Sequence, residues 1–219
     1  MDYSLDVLAL LVLLSCFVLM ASKRVKSYIT AFQVQSFLTA ATAFTMGLSN
    51  INNNNEGLDL FIICGVILAL KVIYIPRLLR KTFLKVEYKV EKDFFLNIPL
   101  LVLISCGLVV FSYFTLSTSG VFGKDQSISN IVYSLSVVLI GLFFMISRRK
   151  AIGQIVGFLV IENGLFITAI FATHGMPIVV DLGVFIDLIT AVLIMGVLVF
   201  RINEKFDSTD INKLNKLRG

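Results

Sequence analysis

Four ionisable residues stand in stretches that are otherwise apolar: Lys71, Glu162, Asp181 and Asp187. A charge at the centre of a bilayer costs roughly 2.5–3.5 kcal/mol on insertion scales, so such residues face a bundle interior or a wet cavity and mark ion and proton paths. Glu162 lies near the middle of one apolar run and Asp187 near the middle of the next, on either side of Pro177. At about 100° per residue, Ile155, Phe158, Phe166 and Ala169 share the face of Glu162. That carboxyl is expected either to exchange a proton or to make a structural hydrogen bond to a neighbouring helix. Asp187 shares its face with Gly183, Thr190, Ala191 and Ile194, and three of those four are small, as a face turned into a bundle requires. Asp181 is turned by roughly 120° from Asp187 and lies about 9 Å along the helix from it. It is either an outer station of the same route or an interfacial acid near His174. Lys71 lies about 7–8 Å of helix rise before Pro76. Its stem either snorkels to the interface or is buried beside an acid, where it can take part in proton transfer.

Metal and redox chemistry have no support here. Cys16, Cys64 and Cys106 fall in three separate apolar runs, no two at a metal-ligand spacing, and His174 is the single histidine. The cysteines are expected to be small buried residues and His174 a solvated loop residue. No metal site and no cofactor is expected in this chain.

The elements that must hold these residues follow from composition. Of 219 residues, 58% are hydrophobic and only 15% charged, against about half and a quarter in a soluble domain. The apolar runs reach the roughly 20 residues that cross a hydrocarbon core of about 30 Å. In lipid such runs must be helices, because the backbone finds no other hydrogen-bond partners. The expected fold class is all-α: a polytopic integral membrane protein with seven transmembrane helices, at 4–22, 28–49, 58–76, 94–116, 128–147, 151–173 and 178–201. The first run is expected to stay as a span, since its leader carries Asp2 and Asp6 and no basic residue, unlike a signal peptide. Residues 77–93 are charged and long enough for an amphipathic segment. On the sixth span Gly153, Gly157 and Gly164 lie opposite Glu162; Gly153 and Gly157 form a G-x-x-x-G pair that admits a neighbouring backbone. Gln35, Thr39, Thr42 and Ser49 lie close to one face of the second span, as packing glue or as a path lining.

Orientation follows from the basic residues. Seventeen of the nineteen Lys and Arg fall in the links after spans one, three and five and in the tail from Arg201. Cytoplasmic loops are enriched in these residues, so the N-terminus is expected outside and the C-terminus in the cytoplasm. The net charge of +5 thus reports membrane topology rather than a nucleic-acid partner.

Gly157–Phe–Leu–Val–Ile–Glu162–Asn163–Gly164, Pro177, Asp181–Leu–Gly183, Asp187 and the basic exit at Arg201 resemble the E component of hydrogenase-4-type membrane complexes. The seven-span layout and the stretch from Lys71 to Pro76 are similar as well. The last three spans resemble the small K subunit of respiratory complex I and the C subunit of multisubunit cation/proton antiporters. In that fold, mid-membrane acids on the second and third helices are held to carry protons, and by depth and order they match Glu162 and Asp187. The resemblance implies a division into four N-terminal helices (1–127), a three-helix unit (128–201) and a cytoplasmic tail (202–219). It implies a non-redox, non-catalytic subunit of a complex I-like oxidoreductase assembly in the cytoplasmic (inner) membrane. The implied partners are antiporter-like membrane subunits and, on the cytoplasmic side, nickel–iron hydrogenase and iron–sulfur subunits. Two alternatives stand beside it: a subunit of a cation/proton antiporter that uses no redox energy, and a scaffold whose acids only bind helices together.

Overall fold

The structure is a computed structural model that describes residues 2–49, 56–85, 97–119, 127–148 and 150–173. Those residues form six helices and no sheet: α1 (Asp2–Ala21), α2 (Val25–Ser49), α3 (Glu56 to Lys85), α4 (Ile98–Ser119), α5 (Ser127–Ser147) and α6 (Ala151–Thr173). Each covers one of the first six expected spans. The expected seventh span, with Asp181, Gly183 and Asp187, lies outside the described residues, as do His174 and Pro177.

Five of the six helices are long and apolar enough to cross a membrane. The exception is α2, whose 25 residues include two glutamines, three serines and four threonines. Its burial explains that polarity: Gln35, Ser36, Thr39 and Thr42 are all covered, because α2 packs against α1, α3 and α6.

The third helix departs from expectation. It does not stop at Pro76 but continues through the charged stretch to Lys85, with a π segment over Leu68–Tyr74 between α-helical parts Glu56–Ile67 and Ile75–Lys85. A proline inside a helix clashes with the carbonyl four residues back and cannot donate to it. A wider turn just before Pro76 moves that carbonyl aside, so the helix bends its register instead of ending.

The core is built from two apolar clusters. One joins α1, α2, α5 and α6, with Ile75 and Leu79 of α3. The other joins α2, α3 and α6 through Ala40, Ala43, Leu60, Ile63, Ile67, Phe166 and Ile170. Lipid gives helices no hydrophobic reason to associate, so close packing must do it. The α5/α6 pair shows how. A Cβ on Gly157 would stand 2.9 Å from Met145 Cα, one on Gly164 2.9 Å from Val138 N, and one on Gly141 3.0 Å from Ile161 N. Glycine alone lets these two antiparallel backbones touch. Gly153 has a different neighbour: a Cβ there would meet the Cβ of Arg148 at 2.8 Å, so its role is to admit a side chain of the preceding link. Of the five apolar spans, α4 is the least covered, with Leu103, Val110, Phe111, Tyr113 and Phe114 exposed.

Candidate functional site: a buried lysine–glutamate pair

Lys71 sits in the middle of the π segment and is 2% exposed, so its stem does not snorkel out of the bundle. Its ammonium lies 3.7 Å from Glu162 Oε2 on α6 and donates to Asn163 Oδ1 at 3.2 Å. Asn163 Nδ2 in turn donates to Ser36 Oγ on α2 at 3.1 Å. Glu162 is 5% exposed, and Asn163 and Ser36 are fully buried. Three helices therefore contribute to one polar centre inside an apolar bundle.

Depth is set by the helix ends. Ser36 and Glu162 each lie eleven residues into their helices, about 16 Å along the axis, close to half of a hydrocarbon core. The π segment matters at this point because it decides which way Lys71 faces. In a helix of 3.6 residues per turn, one residue more or less turns a side chain by about 100°.

Glu162 faces away from the glycine seam. Gly157 and Gly164 press α6 onto α5, while Glu162 reaches α3, so α6 is sandwiched between two neighbours. Thr168 Oγ1 donates to Ser134 Oγ at 2.9 Å and ties α5 to α6 six residues beyond Glu162.

Asn163 and Ser36 carry no charge, and spacing alone gives no reason to single them out. Asn163 was visible only as a member of the Glu162–Asn163–Gly164 stretch. From α2 it is Ser36, outside the expected stripe of Gln35, Thr39, Thr42 and Ser49, that joins the centre. Gln35 points instead to α1, where its Nε2 contacts Cys16 Sγ at 3.0 Å, and Thr39 and Thr42 bond carbonyls of their own helix.

A second buried cation lies in the α5–α6 link. Arg148, counted from sequence among the loop bases, is 1% exposed. It donates to Tyr28 Oη at 2.9 Å and to the Met20 carbonyl at 3.3 Å. Its guanidinium carbon stands 4.8 Å from the Tyr28 ring centre and 4.4 Å from that of Phe144. The positive group closes the C-terminal end of α1, where free carbonyls favour a cation. Around it, at the same end of the bundle, Lys23, Arg24, Lys26, Arg77, Arg80 and Lys81 are exposed. No cluster of three or more His, Cys, Asp or Glu able to hold a metal occurs among the described residues.

Comparison with known proteins adds a lineage to this geometry. No family model matches the chain, and no solved structure does. The Mycobacterium tuberculosis protein Rv0085, itself uncharacterized, is 33% identical over 181 residues, 82% of this chain and 81% of that one. Hydrogenase-4 component E of Escherichia coli K12 and of Shigella flexneri is 30% identical over 89 residues, 41% of each chain. The chain is thus a helical, multi-pass membrane protein that belongs to the family of Rv0085 and is distantly related to hydrogenase-4 component E.

Proposed function

We propose that this chain is a non-redox membrane subunit of a complex I-like assembly of the hydrogenase-4 type, in which Lys71 and Glu162 form a proton- or cation-exchange unit. The observation that carries the proposal is the buried pair itself. A base and an acid 3.7 Å apart attract each other by roughly 4–5 kcal/mol at an effective dielectric of about 20. A proton arriving at one therefore changes what the other can hold. On this reading Asp187 and Asp181, in the expected seventh span, continue the route. The relation to hydrogenase-4 component E supports membership of a larger complex. Its partners on this reading are antiporter-like membrane subunits and cytoplasmic nickel–iron and iron–sulfur subunits. The exposed basic residues gathered at one end of the bundle support an orientation with that end in the cytoplasm.

Glu162→Gln and Asp187→Asn keep the shape of each side chain and remove its exchangeable proton. Both variants are expected to leave the complex assembled, judged by a blot of the intact complex, and to impair proton uptake into inverted membrane vesicles. Asp181→Asn is expected to have the smaller effect, since water can replace it. One specific observation favours a second reading: the pair also joins α3 to α6, as a purely structural tie would. Full uptake by the Glu162→Gln, Asp187→Asn double variant would establish that reading and remove ours.

A further inference from the structure

Gln33, on α2, grips the segment that carries Lys71. In α register, the donor to the Val72 carbonyl would be the amide of residue 76, and residue 76 is a proline. Gln33 Nε2 donates to that carbonyl from α2, at 2.9 Å from Val72 O. One residue earlier, the Ile75 amide donates to Leu70 O, five residues back, in π register. The other end of the same amide is also engaged: Gln33 Oε1 accepts from Arg80 Nη2, and Arg80 reaches Thr30 Oγ1 at 3.5 Å. A guanidinium can only donate, so it obliges the Gln33 oxygen to face Arg80 and the nitrogen to face Val72.

We infer that Gln33 is a positioning residue for Lys71, acting through the π segment, and that Arg80 sets the direction in which the Gln33 amide points. The inference rests on the proposed exchange role of the pair. Gln33 donates to a carbonyl that Pro76 cannot serve in α register and so holds the wide turn in place. Collapse of that turn to α register rotates the segment by about 100° against the rest of the helix. Lys71, at its centre, then leaves Asn163 and Glu162. Arg80 is exposed at the basic end, so the aim of the buried ammonium is tied to a residue outside the apolar core.

The test uses the assembled complex in inverted vesicles, with proton uptake followed against pH and a blot for the intact complex. Gln33→Leu removes both contacts. Gln33→Leu combined with Pro76→Ala returns an amide to residue 76, which satisfies Val72 within the helix and lets the turn become α. The double variant is expected to assemble at the wild-type level while uptake stays at least about ten-fold down, as misplacement of a reacting group by an ångström or more entails. A Gln33 that only satisfies a carbonyl predicts recovery of both, and that result overturns the inference. Arg80→Met, at an exposed position, is expected to lower uptake in an assembled complex, and Arg80→Lys, which keeps a donor, to recover most of it. Wild-type uptake in Arg80→Met overturns the orienting role. Glu162→Gln in the same vesicles separates the two levels. If it pumps normally, the exchange reading fails and takes this inference with it. If it is inactive while the Gln33→Leu, Pro76→Ala variant pumps fully, only the inference fails.

Discussion

Replacing Lys71 with methionine keeps most of its volume and removes the positive charge facing Glu162. At 3.7 Å the lost attraction is roughly 4–5 kcal/mol at an effective dielectric of about 20, and what remains is a buried carboxyl without its counter-charge. Breaking a buried pair from one side costs about 3–5 kcal/mol, whereas removing both members is far milder. Lys71→Met is therefore expected to lose about 3–5 kcal/mol, Glu162→Gln somewhat less because Asn163 Oδ1 still accepts from Lys71, and the double variant less than their sum. The assay is equilibrium unfolding of the purified chain in mixed micelles of increasing SDS fraction, read as a double-mutant cycle. Neutral hydrogen bonds between membrane helices average about 0.6 kcal/mol and reach about 1.7, so a coupling above about 2 kcal/mol identifies an ion pair. Simple additivity, within about 0.5 kcal/mol, would refute the pairing and with it the exchange unit.

Three further perturbations probe the frame around the pair. Gly164→Ala places a methyl 2.9 Å from a backbone nitrogen of α5 and is expected to cost about 1–3 kcal/mol in the same unfolding assay. Gly65→Ala, with nothing within 4 Å of its added carbon, is expected to be neutral or to gain up to about 1 kcal/mol. Arg148→Lys keeps the charge but not the planar fork that spans Tyr28 Oη and the Met20 carbonyl. A loss of about 2 kcal/mol is expected, and wild-type stability would show that the charge alone suffices.

Much of the architecture was legible because a bilayer leaves the backbone so few options. Among the described residues, apolar runs of about 20 residues between charged or Asn/Gly-rich breaks became helices, most of them within a few residues of their expected ends. Pro76 misled, since proline together with a falling apolar content reads as a helix end. The helix instead continues through a π segment, with Gln33 on another helix donating to the Val72 carbonyl, and no local pattern announces a partner 39 residues away. The same limit applies at the candidate site. Lys71 and Glu162 were conspicuous because charge is costly in an apolar run. Asn163 and Ser36 were not, because short polar groups cost little and gain their meaning only from the three-helix junction. Arg148 was read with its neighbours as a loop base. Its burial depends on Tyr28, Phe144 and the room left by Gly153, which sequence order scatters over more than a hundred positions.

The polarity of α2 bears on how the protein is made. The five other helices are apolar enough to enter a bilayer singly, but α2 brings Gln35, Ser36, Thr39 and Thr42 on surfaces that are covered only by other helices. Some of that cover is synthesised long after α2: Asn163, which bonds Ser36, comes 127 residues later. A nascent chain that has not yet reached α6 holds a helix whose polar face has lost part of its intended neighbours. Its options then are to wait beside α1, to recruit another subunit or an insertase, or to be degraded. The polar face of α2 is therefore expected to gain its cover late, when α6 arrives and not when α2 first meets the membrane.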